Sequence, residues 1–295
     1  MVYTVTFNPA LDYVMKLDKL CMGEINHSDV QNVFAGGKGI NVSIVLKELG
    51  VESTALGFIA GFSGEEIKRQ LVERGILFDF IKLEKGISRI NVKLSHGEET
   101  DVNTTGPHID EKHLNMFFEK INTLTEKDTV VIAGSLPQGL DSSVYMKLAS
   151  ILNEKNIRFI VDTTGENLLS TLKFNPFLIK PNFDELGGLF DNFKEEKLYD
   201  YMKTLQSMGA RNVLVSMGGK GSVLLDEKGA FNTLDAIDGT VINTVGAGDS
   251  MVAGFLAGYL KTKDYGFAHK LGSAAGSATA FSSWLGSKKN ILSLL

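Results

Sequence analysis

The 295-residue chain contains little cysteine, proline or tryptophan: one Cys, five Pro and one Trp. Because Cys21 has no second cysteine with which to pair, the composition indicates a reducing compartment, and we expect a cytoplasmic protein. The chain also lacks a basic start followed by an apolar stretch, so we expect no signal peptide. No apolar run is long enough to span a bilayer.

Positive charge is scarce as well. The chain carries 30 Lys and Arg against 35 Asp and Glu, which gives a net charge of −5 at pH 7. A field of this sign does not attract nucleic acid or an anionic membrane, so neither is expected as a partner. Any anionic ligand must therefore be held by a few local cations and by backbone amides.

Several catalytic motifs are absent. GxxxxGK[ST] fails because Lys38 and Lys220 are each followed by glycine, and GxGxxG fails because Gly246 and Gly248 meet Met251 at the sixth place. HExxH, GxSxG and CxxC are missing, and the five histidines show no metal-ligand spacing. These absences argue against a P-loop NTPase, a standard NAD-binding protein, a metalloprotease, a serine hydrolase and a thiol redox enzyme.

Glycine is the residue present in excess, with 31 positions, about 10% of the chain where usage is typically ~7%. The 43% hydrophobic and 22% charged residues are typical of a globular protein. Disordered tracts usually combine glycine with proline. The excess therefore indicates a folded backbone that turns tightly, or approaches a ligand closely, at many points.

Short β-like runs alternate with longer helical patterns along most of the chain. We predict strands over 2–7, 53–59, 129–133, 159–161, 177–179, 213–216 and 222–225. We predict helices over 40–49, 64–74, 141–154, 166–172, 182–190, 195–208 and 251–260. This alternation is typical of an α/β fold with a parallel sheet covered by helices on both faces.

Two segments, at about 12–34 and 87–104, break this alternation. In the second, apolar and polar residues alternate with period two, and His96-Gly97 indicates the turn of a β-hairpin. The period places Ile90, Val92 and Leu94 on one face and Arg89, Asn91 and Lys93 on the other. We predict a small second sheet that serves as a lid; an edge extension without a role is the alternative.

The first of two glycine-rich stretches that open predicted helices is residues 35–41, AGGKGIN. It places backbone amides and Lys38 at a helix N-terminus, which suits an anion or a polyhydroxylated ligand, and Asn41 can bond hydroxyl groups. The alternative is a tight turn with a solvated lysine.

The second stretch, residues 243–250, runs into a helix with Asp249 in its first turn. We expect the amides of residues 246–249 to converge where negative charge on a transferred group is held, beside a carboxylate that accepts a proton from an attacking hydroxyl. If Asp249 only complements the helix dipole, it contributes ~0.3–1 kcal/mol. The Gly-Ala-Gly loop argues against that role, because a cap does not need it.

Two further stretches leave alternatives open. Residues 216–222 lie between predicted strands, and by themselves they favour a hairpin turn over a surface for nucleotide phosphates. Asn182 and Glu185 follow a strand and share one face of a beginning helix. They are either oxygen ligands for hydrated Mg²⁺ or a plain helix cap.

Together, stretches 35–41 and 245–250 resemble the two signatures of the ribokinase-like (PfkB) carbohydrate kinases. The resemblance covers essentially the whole chain. Four further stretches resemble the phosphosugar kinases within that family: residues 6–12, 88–94, 97–103 and 133–137. Asn243 departs from the family pattern, in which aspartate is common there, and we infer no loss of activity from it.

The resemblance implies one kinase domain over residues 1–295. Its fold would be ribokinase-like, a three-layer α/β/α arrangement with a mostly parallel sheet and a small β-sheet lid formed by segments of about 12–34 and 87–105. The activity it implies is ATP-dependent phosphorylation of D-fructose 1-phosphate at the 6-hydroxyl to D-fructose 1,6-bisphosphate, with Mg²⁺. The alternatives are a tagatose 6-phosphate kinase and a sugar-phosphate sensor without turnover. The exposed lid sheet also predicts a homodimer through the lid.

The resemblance assigns a role to each matching residue. Asp249 is the base, and the moving phosphoryl group is stabilised by Gly246, Ala247 and Gly248. The sugar phosphate is bound by Asp12, Gly37, Lys38, Asn41, Arg89 and Asn103, of which Lys38, Arg89 and Asn103 face its phosphate. ATP is bound by Lys180, Asn182, Glu185, Ser216, Met217, Gly218, Gly219, Lys220, Gly221 and Gly248. Glu185 is the candidate to hold Mg²⁺ through a water.

Overall fold

The computed structural model describes residues 1–28, 30–95 and 99–295. The strands are β1 (Val2–Thr6), β2 (Ala10–Lys16), β3 (Val30–Gly36), β4 (Ser53–Ala60), β5 (Leu77–Leu83), β6 (Arg89–Ser95), β7 (Glu99–Val102), β8 (Thr129–Ala133), β9 (Arg158–Asp162), β10 (Leu178–Ile179), β11 (Val213–Ser216), β12 (Ser222–Leu225) and β13 (Phe231–Leu234). The helices are α1 (Lys38–Glu48), α2 (Gly61–Glu73), α3 (Glu111–Asn122), α4 (Ser142–Glu154), α5 (Gly165–Leu172), α6 (Phe183–Gly187), α7 (Leu198–Ser207), α8 (Ala247–Thr262), α9 (Tyr265–Ala280) and α10 (Lys288–Ser293).

The main sheet has the strand order β13-β12-β11-β10-β9-β8-β1-β4-β5. Neighbouring strands from β11 to β5 are parallel, whereas β12 and β13 are antiparallel additions at one edge. The predicted mostly parallel sheet is therefore confirmed. Its parallel strands all end at one edge, which is where the candidate site lies.

Helices cover both faces of this sheet. In β8, Val130 and Ile132 pack in a core with α3 to α7, while Val131 and Ala133 pack in a second core with α1, α8 and α9. Because successive side chains of a strand point to opposite faces, a strand buried on both sides is apolar along most of its length. This explains the uninterrupted run 129–133 and confirms the three-layer α/β/α arrangement.

A second, small sheet has the order β3-β2-β6-β7. Strands β2 and β6 are parallel, with Asp12 opposite Asn91, and the two outer pairings are antiparallel. The small separate sheet of the predicted fold is therefore confirmed, and its strands lie at 10–16, 30–36, 89–95 and 99–102. The predicted turn at His96-Gly97 lies outside the described residues.

The structure corrects some element boundaries. Helix α6 ends at Gly187, although the pattern predicted a helix to residue 190. Helix α9 was not predicted, because its small residues show no apolar stripe. It packs tightly on α8, where a Cβ on Gly254 would lie 2.5 Å from the Leu271 carbonyl oxygen. Among the described residues, none of the helices combines the length and apolar character that crossing a membrane requires.

Candidate active site

Two cavities open at the carboxyl ends of the parallel strands, where ligands commonly bind in open α/β sheets. The polar cavity, of about 410 Å³, lies between the small sheet and the N-termini of α1 and α8, and charged residues line it. The apolar cavity, of about 460 Å³, is lined by the β11–β12 hairpin and by Ile237, Met251 and Phe281. Because Gly248 and Ser216 line both, the cavities meet at the first turn of α8.

Glycines bring the start of α1 against the small sheet. A Cβ on Gly36 would lie 2.3 Å from Asp12 Oδ2, so this carboxylate has room only beside a glycine. Gly37 precedes α1 with φ 109°, a conformation that favours glycine. Asp12, Gly37, Lys38 and Asn41 all line the polar cavity. The structure therefore brings these four predicted sugar-binding residues together.

Helix α8 places Asp249 in its first turn, buried at the wall of the polar cavity. Gly246 caps the helix with φ 78°, and a Cβ there would lie 2.6 Å from Leu285 Cδ2. Asn41 Nδ2 donates a hydrogen bond to Asp249 Oδ2 at 2.7 Å. This contact joins the two glycine-rich stretches, which are about 200 residues apart in the sequence.

The environment of Asp249 raises the pKa of its carboxyl group. Burial raises the pKa of Asp249 to about 6, and the nearby Asp162 carboxylate acts in the same direction. Lys38, the Asn41 hydrogen bond and Lys180 act in the opposite direction. With this pKa, Asp249 is mostly ionised at neutral pH and is a stronger base than an exposed aspartate.

The first-turn amides of α8 only partly match the prediction. The first bond of the helical ladder runs from Ser250 N to the Gly246 carbonyl at 2.9 Å, so the amides of residues 247–249 precede it. Ala247 N, however, donates to the Thr244 carbonyl at 3.2 Å. The Ala247 amide is therefore used within the loop. Fewer of the backbone amides of residues 246–249 than we expected are left to bind an anion.

The small sheet contributes a hydrogen-bonded pair of polar residues. Asn91 Nδ2 donates to Asp12 Oδ1 at 2.8 Å across the β2–β6 pairing, and both side chains are buried. Burial raises the pKa of the Asp12 carboxyl, while the Asn91 hydrogen bond opposes this. The pair fixes the direction of an acceptor that faces the polar cavity.

Cations of the small sheet line the same cavity. Arg89 Nε donates to the Asn8 carbonyl at 3.0 Å, and Lys93 Nζ pairs with Asp101 Oδ2 at 2.7 Å. Asn103 lines the cavity beside them. Arg89, together with Lys38, also lines a smaller adjoining cavity of about 220 Å³, which we term the inner cavity. The structure thus brings Arg89 and Asn103 to the predicted site.

Asn182 and Glu185 form a capping box at the start of α6. Asn182 Oδ1 accepts from Glu185 N at 2.7 Å, and Glu185 Oε2 accepts from Asn182 N at 2.8 Å. The helix-cap alternative is therefore confirmed. Both residues also line the polar cavity with Lys180, and Glu185 Oε1 lies 3.9 Å from Lys38 Nζ. The cap occupies one oxygen of Glu185, and the other remains at the cavity.

The β11–β12 connection is a hairpin that also lines the apolar cavity. Strands β11 and β12 pair antiparallel, and Gly218, Gly219 and Gly221 reach the cavity. Met217 instead packs against the core on the α3–α7 side, and Lys220 Nζ pairs with Glu195 Oε1 at 2.6 Å. Of the hairpin residues predicted for ATP, these two side chains are not brought into the described lining of either cavity.

Some lining residues were missed in the sequence. Ser273 and Ser277 of α9 line the apolar cavity, and Asp101 lines the polar one. Asp162 lies buried beside two lysines of the site. The position of Asp162, directly after a predicted strand, is a signal that could have identified it, because the strands end at the site.

The fold is shared with a solved structure. Phosphofructokinase-2 from Escherichia coli, in complex with substrates and products, matches with a TM-score of 0.94 and 26% identity, over 99% of this chain and 97% of that one. The expected ribokinase-like fold is therefore confirmed. A protein with this fold, a buried carboxylate at a helix start and two adjoining cavities has the architecture of a two-substrate enzyme.

The family follows from the sequence comparisons. The pfkB family carbohydrate kinases match residues 5–289, so the chain belongs to the pfkB family of carbohydrate kinases. It is 43% identical to the 1-phosphofructokinase of Bacillus subtilis, over 100% of this chain and 97% of that protein. It is 37% identical to the D-tagatose-1-phosphate kinase of Bacillus licheniformis, over 97% and 94%. The chain is therefore a phosphotransferase with a sugar acceptor and ATP as donor.

Proposed function

We propose that the protein transfers the γ-phosphoryl group of ATP to the 6-hydroxyl of D-fructose 1-phosphate, giving D-fructose 1,6-bisphosphate and ADP. One observation carries the proposal: the buried carboxylate of Asp249 lies in the helix turn where the polar and apolar cavities meet. A donor nucleotide in one cavity and an acceptor sugar in the other would bring their reacting groups to that turn.

Asp249 serves as the base in this proposal. It is ionised at neutral pH and accepts the proton of the sugar 6-hydroxyl as the oxygen attacks phosphorus. Asn41 fixes the carboxylate through its 2.7 Å hydrogen bond. The amides of Gly248 and Asp249, at the positive end of the α8 dipole, stabilise charge on the moving phosphoryl group, which is the main demand of this chemistry. Gly246 shapes the loop, and Ala247, whose amide is used within the loop, lines the apolar cavity.

The polar cavity receives the sugar phosphate. Asp12 accepts hydrogen bonds from the sugar hydroxyl groups, and Asn41 donates hydrogen bonds to them. Gly37 lets the backbone approach these hydroxyl groups closely. Lys38 and Arg89, which line both the polar and the inner cavity, bind the phosphate already on the sugar, with Asn103 beside them. Two cations at a junction of cavities supply the local positive charge that the net charge of −5 does not.

The apolar cavity receives ATP. Its apolar wall suits an adenine ring, and the glycine-rich hairpin from Ser216 to Gly221 offers backbone groups to the ribose and phosphates. Lys180 and Asn182 extend this surface towards the phosphates in the polar cavity. The side chain of Met217 packs against the core and that of Lys220 pairs with Glu195, so both support the hairpin that lines this cavity.

Mg²⁺ would be held mainly by the ATP phosphates. Within the described ranges, no group of three His, Cys, Asp or Glu side chains is placed to hold a metal ion. Glu185 Oε1, which the capping box leaves unused, fits a contact through water. When bound, Mg²⁺ would neutralise part of the phosphate charge. Glu185 Oε1 and Lys38 Nζ, 3.9 Å apart, would keep each other in position beside it.

The small sheet would act as a lid and as a dimer interface. A row of apolar side chains crosses all four strands of the small sheet, on the face opposite Asp12. It consists of the cross-strand neighbours Val33, Tyr13, Val92 and Val102. Val33 and Val102 are 42% and 56% exposed. A second copy of the sheet would cover this apolar row.

Val92→Lys tests the dimer, because it places a charge in the middle of this row. The variant should be a monomer in analytical ultracentrifugation where the wild type is a dimer. A monomeric wild type would contradict the proposed dimer.

ADP release against a panel of acceptors tests the function. We expect the highest kcat/KM with fructose 1-phosphate, compared with fructose 6-phosphate, tagatose 6-phosphate and ribose. Tagatose 1-phosphate belongs in the panel, because a relative bears that activity in its name and the two sugars differ only in the C4 hydroxyl. A preference for either tagatose phosphate would replace the substrate assignment. Binding of sugar phosphate without ADP release would indicate a sensor.

A further inference from the structure

A buried carboxylate of the site has no part in the proposed chemistry. Asp162 ends β9 and is 1% exposed. Its Oδ1 atom lies 3.5 Å from Lys38 Nζ and 3.4 Å from Lys180 Nζ. The lysines come from two separate elements, since Lys38 begins α1 and Lys180 follows β10. A single oxygen therefore contacts two ammonium groups.

Both ammonium groups lie at the candidate site. Lys38 lines the polar and inner cavities, where the sugar phosphate is proposed to bind. Lys180 lines the polar cavity, and its Nζ would lie 3.0 Å from a Cβ on Gly248, the residue shared by both cavities. The first lysine is thus placed for the acceptor, and the second for the phosphates of the donor.

These two cations need an anion between them. Their distances to one oxygen put the two ammonium groups within about 7 Å of each other, where like charges repel strongly in a buried setting. Lys180 is only 3% exposed, and burying a charged group is costly unless a group of opposite charge pairs with it. Burial acts to raise the pKa of Asp162, yet Lys180 and Lys38 hold it below its ordinary value, so the anion is present.

We propose that Asp162 is a positioning residue that holds Lys38 and Lys180 at the junction of the two cavities, so that one buried carboxylate orients the cations for both substrates. The inference rests on the proposed function. It extends that function to a residue outside both glycine-rich signatures, one that contacts neither substrate.

Asp162 also affects the base. Four groups face Asp249: the carboxylate of Asp162, the ammonium groups of Lys38 and Lys180, and the side-chain amide of Asn41. Of these, Asp162 alone raises the pKa of Asp249. Removing its charge leaves two cations that lower this pKa, so Asp249 should lose its proton at a lower pH.

Asp162→Asn tests the proposal with two readouts. We expect KM to rise about tenfold for both fructose 1-phosphate and ATP, the scale of one weakened charge-assisted contact on each. We also expect the acidic limb of the kcat profile to move to lower pH. Replacing a residue with a purely structural role would lower the melting temperature without moving that limb.

Asp128→Asn is the matched control. It removes a carboxylate that pairs with the N-terminal ammonium at 3.0 Å, before β8 and away from the site. This variant should leave the acidic limb and both KM values unchanged.

A second variant covers a failure of Asp162→Asn to fold. Asp162→Asn combined with Lys180→Met removes one charge of each sign, and it is compared with Lys180→Met alone. The double variant should show a higher KM for fructose 1-phosphate than the single one, because Lys38 has lost its anchor. Equal KM values, or an Asp162→Asn enzyme with wild-type KM values and an unmoved limb, would overturn the inference while the proposed function stands. A wild type that phosphorylates no sugar phosphate, measured first, would refute both.

Discussion

Replacing Asp249 by asparagine tests the proposed base with little change in shape. Asparagine has nearly the same size, and the Asn41 amide that now donates to Asp249 Oδ2 at 2.7 Å can donate to its carbonyl oxygen instead. The variant keeps the packing at the start of α8 but cannot accept the proton of the sugar hydroxyl. We expect kcat to fall at least ~10²-fold, the lower end of what a positioned general base contributes.

The same substitution should stabilise the fold. Burial raises the pKa of Asp249 from 3.8 to about 6. At 1.36 kcal/mol per pH unit, ionising it in the folded state at pH 7 costs ~3 kcal/mol relative to the unfolded chain. This raised pKa contributes stability that is fully present below the unfolded value and is lost as pH rises through about 6. Neutral asparagine removes the cost, so the free energy of unfolding at pH 7 should increase by ~1–3 kcal/mol.

The assay is ADP release with saturating fructose 1-phosphate, followed from about pH 5 to pH 8, together with urea unfolding at pH 7. Wild-type kcat should decline as pH falls through about 6, and the variant should show no such limb. Asp191→Asn, at an exposed carboxylate, is the control and should match the wild type. Near-normal turnover would remove Asp249 from the mechanism. A variant less stable than the wild type would refute the assigned burial cost.

Four further outcomes follow from the geometry. Arg89→Ala should raise KM for the sugar phosphate at least ~10-fold and leave KM for ATP nearly unchanged, because Arg89 lines the sugar side; equal effects would place it elsewhere. Gly246→Ala should lower both kcat and the melting temperature, since φ is 78° and Leu285 Cδ2 lies 2.6 Å from the added Cβ; normal kcat would contradict the loop assignment. The single tryptophan, Trp284, stacks on Phe34 of the small sheet at 4.0 Å, so adding fructose 1-phosphate should change its fluorescence; an unchanged spectrum would argue against lid movement. Chelation of Mg²⁺ should abolish ADP release until Mg²⁺ is restored; turnover in excess chelator would exclude it.

The fold could be predicted where a local pattern reports on burial. In the run at 129–133, the four residues after Thr129 are all apolar because both faces of β8 are covered, and the structure confirms the bounds of the strand. Helix α9 could not be predicted in this way. Its glycine, alanine and serine residues are selected by the close approach of α8, and that approach is visible only in three dimensions.

The site could be predicted where one continuous stretch contains its own geometry. Residues 35–41 and 243–250 each combine glycine, a helix start and a polar side chain, and both stretches line the polar cavity. Asp162 depends instead on α1 and β10 both approaching the end of β9. Its place directly after a predicted strand indicates that Asp162 lies at the edge of the sheet where the site is, but its two lysine partners are visible only in the tertiary structure.

Two alternatives left open by the sequence are not exclusive in the structure. Residues 216–222 form a hairpin and also line the apolar cavity, because the turn lies at the sheet edge where that cavity opens. Asn182 and Glu185 form a helix cap and still face the polar cavity. Local patterns separate a structural role from a binding role only when one set of atoms cannot serve both.

The charge of the polar cavity bears on how two polyanions can enter it. Its described lining holds four cationic side chains, Lys38, Arg89, Lys93 and Lys180, and four carboxylates, Asp12, Asp101, Glu185 and Asp249. The cavity is therefore no positive funnel, and a bound sugar phosphate and ATP add more negative charge than it can balance. A divalent cation must accompany the nucleotide, which is the physical reason to expect the Mg²⁺ requirement.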